Sequence, residues 1–244
     1  MHEKPMSIRI REINMSIVIA GASGEIGQAL YQQLSHQVSE KVYAISRRDI
    51  GSSNLRADLS NPADITRVRE FLQEIQPSQI FCCTGLLHDQ NHMPEKRLSQ
   101  INDEWILQSF SANLLSHIHL AQALDPILSR DHTLKWLSLS AKVGSMDDNA
   151  LGGWYSYRIS KAALNMFIKN LSIEWTRKSS NILVASVHPG TTYSELSKPF
   201  QSNIAPDRLY TPEQTATRLI SIMQRLSLVQ HGRLLHWDGS VIAY

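Results

Sequence analysis

Tyr157 and Lys161 stand four residues apart in the run Trp-Tyr-Ser-Tyr-Arg-Ile-Ser-Lys-Ala-Ala-Leu-Asn-Met-Phe that begins at Trp154. Apolar residues at Ile159, Ala162, Ala163, Met166, Phe167, Leu171 and Ile173 recur at roughly helical spacing. Positions i and i+4 stack on one helix face, so the phenol and the ammonium project in the same direction. A tyrosine ordinarily ionises near pH ~10 and is a poor acid–base group at neutral pH. A cation held close favours the phenolate, lowers that pKa and makes the hydroxyl a usable proton donor. On an arbitrary helix the same pair is a packed ring and a solvated amine. The chemistry therefore depends on what the rest of the chain places around it.

A second chemical signal lies near the start. Ser-Ile-Val-Ile-Ala after Met15 is a short β-branched run that predicts a buried strand. Gly21-Ala22-Ser23-Gly24-Glu25-Ile26-Gly27 follows at once, and Ile26, Ala29, Leu30 and Leu34 then repeat at helical spacing. A glycine turn between strand and helix lets the backbone approach a pyrophosphate, which sits at the helix N-terminus where free N–H groups point outward. The next strand, Lys41 to Ser46, ends in Arg47-Arg48. An acid about 20 residues past the glycines grips a ribose 2′-hydroxyl, whereas an arginine accommodates a 2′-phosphate. No acid stands at 46 to 48, so the position favours NADP over NAD.

Further elements must hold these two signals together. Asn54 to Ala57 predicts a third strand, Asn61-Pro62 opens a helix to about Ile75, and Ser78 to Thr84 predicts a fourth strand. Residues 86–100 carry Pro94 and no period, which predicts a loop. A long amphipathic helix is expected over Ile101 to Leu124, with Trp105, Phe110 and Leu114 in its apolar stripe. Asn113 within it lowers helix propensity, so it is exposed or held by a specific bond. Leu134 to Ser140 and Asn181 to Val187 predict strands five and six, Thr211-Pro212 opens a last helix, and Gly232 to Trp237 gives a final strand before an Asp238-Gly239 turn. Such alternation argues a single-domain α/β fold: one Rossmann-type, doubly wound, mostly parallel sheet of about seven strands with helices on both faces. Residues 1–14 are expected to be a polar arm and 15–244 the nucleotide-binding domain.

Composition narrows the alternatives. A net charge of +2 over 244 residues gives no reason to propose nucleic acid or an anionic membrane as partner. Cys82 and Cys83 are adjacent in an apolar run, which suits buried thiols in a reducing compartment better than a disulfide framework. No stretch approaches the ~18 consecutive apolar residues of a membrane helix, and no secretory leader is legible. A cytoplasmic protein is expected. His117 and His119 lack the companions of a metal site, and no metal is expected.

Taken in order, the glycine turn, Asp58-Leu59, Asn113, the segment from Tyr157 to Asn165 and His188-Pro189-Gly190 resemble the short-chain dehydrogenase/reductase family, especially its C-factor-like and sniffer-like carbonyl reductase branch. The resemblance runs through nearly the whole chain from Met15 onward. It implies that Tyr157 is the general acid that protonates a carbonyl oxygen as hydride arrives from nicotinamide. Lys161 would bond the nicotinamide ribose and lower the Tyr157 pKa, and Asn113 would hold a relay water. Cofactor contacts would come from Gly21, Ser23, Gly24, Glu25, Ile26 and Gly27, from Arg47 or Arg48, and from Asp58 and Leu59 beside the adenine. Cys83 and Gly85 would lie by the adjoining ribose, and Pro189, Gly190, Thr191 and Thr192 along the nicotinamide.

The chain departs from the family pattern in three places. Glu25 stands where the middle glycine is usual, Ala20 and Cys82-Cys83-Thr84-Gly85 replace common loop residues, and Ala141 occupies the count for the usual oxyanion serine. Ser140 at a strand end is the favoured substitute donor, because a rigid mount suits that task, and Ser145 is the other candidate. The favoured function is an NADP-dependent oxidoreductase of small carbonyls or secondary alcohols. Alternatives are a weakly catalytic or non-catalytic, C-factor-like signalling protein that binds dinucleotide, and an epimerase or dehydratase suggested by the glycine spacing. The resemblance also implies a homodimer or homotetramer paired through the Asn113 and Tyr157 helices.

Overall fold

The computed structural model describes residues 16–244, and the polar arm expected over 1–14 lies outside the described residues. β1 (Ser16–Ala20), β2 (Lys41–Ser46), β3 (Asn54–Arg56), β4 (Pro77–Cys82), β5 (Leu134–Leu139) and β6 (Ile182–Val187) are parallel neighbours in the order β3-β2-β1-β4-β5-β6. β9 (Leu234–Leu235) extends the sheet beside β6. An eighth strand, β10 (Val241–Ile242), then pairs antiparallel with β9. The count of about seven missed it. The Asp238-Gly239 turn folds the chain straight back, with Gly239 at φ 89° and the His236 N–H on Ser240 O.

Successive strand residues face opposite sides, and the core divides accordingly. Ile17 and Ile19 pack with α1 (Glu25–Gln37) and α6 (Pro212–Arg225) on one face. Val18 and Ala20 pack with α2 (Ile65–Ile75), α4 (Ser116–Leu124) and α5 (Tyr155–Thr176) on the other. Trp136 and Trp175, both fully buried, meet edge to face at 5.7 Å beneath that second layer. α6 begins as the sequence requires, with the Thr211 hydroxyl accepting the Gln214 N–H and Pro212 in the first turn.

The helix expected over 101–124 is interrupted. α3 (Asp103–Phe110) passes into a π-helical turn over Ser111–Leu115 before α4 resumes. Such turns concentrate at functional positions, and Asn113 sits in the middle of this one. A small pair, β7 (Thr191–Thr192) with β8 (Leu209–Tyr210), stands off the main sheet after β6. Strand order reverses at β1, between β2 and β4. In open α/β sheets the crevice beyond the strand ends at that point is where ligands bind.

Candidate active site

α5 carries Tyr157 and Lys161, and its start is built from two distant segments. Trp154 at the N-cap adopts φ 52°, ψ 41° and supplies no side-chain cap. A left-handed non-glycine residue costs of order 1–3 kcal/mol. Buried Glu95, from the loop after β4, takes over the capping. Its carboxylate accepts the Ser156 N–H at 3.2 Å and the Ser156 hydroxyl, while its main-chain oxygen accepts the Trp154 N–H. A carboxylate at a helix N-terminus also complements the helix dipole. Sequence reasoning assigned residues 86–100 to a polar loop and missed Glu95, whose only trace was an acid beside Pro94.

One turn into the helix, Tyr157 is half-buried, and no side chain or carbonyl among the described residues takes its hydroxyl. Burial pushes the phenol above its ordinary range. Lys161 is buried, with Nζ 5.9 Å from the centre of the Tyr157 ring, and it donates to Leu139 O at 2.9 Å. Burial pulls the Lys161 ammonium down to about 8. The Lys161 ammonium is engaged by the Leu139 carbonyl, and burial is the cause that raises the phenol. Tyr157 therefore carries its proton at neutral pH.

Asn113 is fully buried, so the specific bond expected for it is present. Its amide donates to Leu86 O at 2.8 Å and Ser160 Oγ at 3.0 Å, and its oxygen accepts the Leu86 N–H at 2.7 Å. One acceptor lone pair on Oδ1 remains for a relay water. A Cβ built at Gly85 would lie 3.4 Å from that oxygen and 3.5 Å from Lys161 Nζ, so the loop after β4 brings the two together. His117 lies beneath, neutral, with burial pulling its pKa down to about 3. Its Nε2 faces Thr84 O at 3.4 Å, which can only accept, so its Nδ1 accepts from the Ser138 hydroxyl at 2.9 Å.

Both candidate oxyanion serines have hydrogen-bond partners of their own within the chain. Ser140 is buried and gives its single proton to Asn165 Oδ1 at 2.7 Å, beside Ser186, which donates to the same oxygen at 3.1 Å. Ser145 gives its proton to Ala243 O at 2.6 Å. A strand end is rigid, as argued, but Asn165 on α5 takes the hydroxyl proton. Ser140→Ala is expected to cost about 1–3 kcal/mol of stability by orphaning part of the Asn165 contact, with turnover changed only a few-fold. A ~100-fold fall in turnover with unchanged thermal stability would restore Ser140 as the donor.

The nucleotide turn tests well against a dinucleotide. Gly21 has φ 78°, and a Cβ at Gly27 would meet Gly21 O at 2.4 Å, so the turn closes only around bare backbone. Gly24 caps α1 without any side-chain bond, leaving the first N–H groups of that helix for an anion. At Gly24 a Cβ would meet nothing closer than Gly21 O at 3.6 Å, so space alone does not demand glycine there. Glu25 begins α1 and its carboxylate accepts the Glu195 N–H at 3.0 Å. Ser23 and Ile26 lie half-buried on the same turn.

Arg47 and Arg48 are exposed at the end of β2, and no carboxylate among the described residues pairs with either. Asp58 is a turn cap, accepting the Ser60 N–H and hydroxyl at 2.9 and 2.6 Å, and Leu59 is buried. Half-buried Cys83 ties the end of β4 to β1 through its N–H on Ala20 O. Pro189, Gly190 and Thr191 are half-buried after β6. Thr192 is buried, its hydroxyl bonding Thr215 on α6 at 2.8 Å and lying 3.4 Å from Gly190 O.

A family model described as enoyl-(acyl carrier protein) reductase matches residues 19–239. A 1-hydroxy-2-glutathionyl-2-methyl-3-butene dehydrogenase of Rhodococcus sp. (strain AD45) is 26% identical, over 94% of this chain and 99% of the relative. The carbonyl reductase Sniffer of D. melanogaster superposes with a TM-score of 0.80 at 20% identity, covering 94% of this chain and 99% of that one. An NADPH-bound carbonyl reductase from chicken fatty liver gives 0.79 at 20% identity, covering 94% of each. With the glycine turn, the Tyr157 helix and the strand order in place, the match over residues 19–239 makes this chain a member of the short-chain dehydrogenase/reductase family of NAD(P)-dependent oxidoreductases.

Proposed function

We propose that this protein reduces small carbonyl compounds with NADPH, and that Tyr157 is the proton donor. One observation carries this reading: a protonated, half-buried phenol with no partner among the described residues, one helical turn from the buried Lys161 ammonium. When bound, the nicotinamide supplies the hydride. Tyr157 holds the carbonyl oxygen and gives it the hydroxyl proton. Lys161 keeps a positive charge beside the ribose site at Gly85 and supports negative charge developing at the phenolic oxygen. Asn113 fixes Leu86 on both backbone groups and so holds the loop that faces Lys161.

Arg47, exposed at the end of β2 with no carboxylate partner among the described residues, supports NADPH over NADH as cofactor. NADPH oxidation against a panel of aldehydes, ketones and quinones tests the function. Turnover of none of them, with NADPH still bound, would favour the second reading of a weakly catalytic dinucleotide-binding protein. The observation behind that second reading is the absence of a free serine proton on the β5 loop.

The protein pairs with a second copy through α3 and α5. Two residues of the apolar stripe are turned inward: Trp105 is buried and stacked on His92 at 4.6 Å, and Leu114 packs on the core. Outward on α3, on the π-helical turn after it and on α5 lie Leu107 (69% exposed), Leu115, Ile159, Met166 (59% exposed) and Ile173. On α5 these fall seven apart, a single stripe that solvates poorly. Light scattering is expected to give a dimer or tetramer at micromolar concentration, and Met166→Glu is expected to shift it toward monomer. A monomeric wild-type protein would refute the pairing. Among the described residues, no helix is long and apolar enough to cross a membrane.

A further inference from the structure

We propose that Trp154 and Phe200 form an aromatic wall that selects planar, conjugated carbonyl substrates, aryl ketones and aldehydes, over saturated ones of the same size. The inference rests on Tyr157 being the group that holds the carbonyl oxygen. Trp154 lies three residues before Tyr157, with ring centres 6.3 Å apart and planes at 68°. Phe200, from the segment after β7, tilts against the same indole at 4.9 Å and 48°. His88 backs Phe200 edge-on at 6.1 Å, and its Nε2 faces Glu195 O and Leu196 O at 3.1 Å each. Carbonyls only accept, so Nε2 carries the proton and pins the segment that presents Phe200. Three separate loops thus converge on one row of rings that ends at the proposed donor.

The Trp154 side chain makes no capping bond to the helix it precedes. Ser, Thr, Asp or Asn is the usual N-cap because each offers a side-chain oxygen. An indole offers none, and Glu95 supplies the capping from outside. The backbone is nevertheless held left-handed at Trp154, after Gly152 and Gly153, both at φ 64°. Strain of that kind in a non-glycine residue beside a reactive group points to function. What it achieves here is to place a large flat ring next to the phenol. Exposed Met146 and Leu151, on the loop leading to Trp154, and exposed Tyr193 after β7 add apolar surface along the same two loops.

The wall has a chemical consequence. With its oxygen on the Tyr157 hydroxyl, a carbonyl compound has its substituents beside the phenol, where the nearest ring neighbour is the indole. Apolar area alone does not separate a phenyl from a cyclohexyl substituent. Ring stacking does, and one aromatic contact is worth about 2- to 13-fold in binding.

The test uses acetophenone and cyclohexyl methyl ketone, matched in size, with kcat/KM measured against NADPH. Trp154→Asn and Phe200→Leu are the variants, because asparagine tolerates the left-handed backbone and can itself cap the helix. Each is expected to lower the acetophenone-to-cyclohexyl ratio about 3- to 10-fold, through KM more than kcat. An unchanged ratio, including equal losses on both ketones, would overturn the proposal. Calorimetry with benzamide and cyclohexanecarboxamide, neither of them reducible here, keeps it separate from the catalytic reading. If the wild type reduces neither ketone yet binds benzamide preferentially, and Trp154→Asn abolishes the preference, the wall stands and the reductase reading falls. Equal affinity for the two amides, or no measurable binding of either, overturns the wall.

Discussion

Tyr157→Phe is expected to lower carbonyl reduction ~10²–10⁴-fold, the range for losing a positioned acid–base group, while NADPH binding survives. The substitution removes one oxygen and keeps the ring that packs against Trp154. No protein group loses a hydrogen bond, because among the described residues none contacts that hydroxyl, so the fold is untouched and the loss reads as chemistry. pH supplies a second readout. Burial raises the phenol pKa, so the proton for reduction is present across the neutral range. Alcohol oxidation needs the phenolate and should climb as pH rises toward that pKa, and the Phe variant should lose this climb. Stopped-flow and steady-state rates on both variants decide the matter. A Phe enzyme with turnover near wild type would remove Tyr157 from the reaction.

Arg47→Ala is expected to weaken NADPH by about 10- to 150-fold and NADH very little. A charge-assisted, bidentate guanidinium–phosphate contact is worth about 1.5–3 kcal/mol, and NADH lacks the 2′-phosphate that would make it. The local setting suits the role. β2 ends in buried Ser46, whose hydroxyl is engaged by Arg48 O and Asn54, so the strand end is fixed while the guanidinium groups project freely. Arg48→Ala run in parallel assigns the contact to one arginine or both. Fluorescence titration with each cofactor measures it. Equal weakening of NADPH and NADH would mean that neither arginine reads the phosphate.

The order of strands and helices, the glycine turn and the Tyr157–Lys161 spacing were legible in the sequence because each is local. A buried parallel strand must be apolar and short, a helix must repeat near 3.6 residues, and a phosphate turn must lack side chains at fixed offsets. β2 was delimited to the residue and α6 to its N-cap for that reason. Even the strand that the count missed is local in origin, since the Asp238-Gly239 turn was visible and only its pairing partner was not.

Whatever depended on contacts between distant segments was decided by the tertiary structure. The sequence carried Ser140 at the right strand end, but the hydroxyl went to Asn165, 25 residues away. It put Trp105 in the apolar stripe of a helix, but only the fold showed that His92 and the core cover it while Leu107 and Met166 stay outside. Lys161 was placed by its spacing from Tyr157, but only the folded chain showed its ammonium on Leu139 O, 22 residues away. Glu95, 61 residues before Ser156, had no periodicity to mark it and caps the Tyr157 helix all the same. A single side chain has one proton, one rotamer and one solvent exposure at a time. Which neighbour claims them is a matter of three-dimensional competition, and no spacing rule along the chain encodes its outcome.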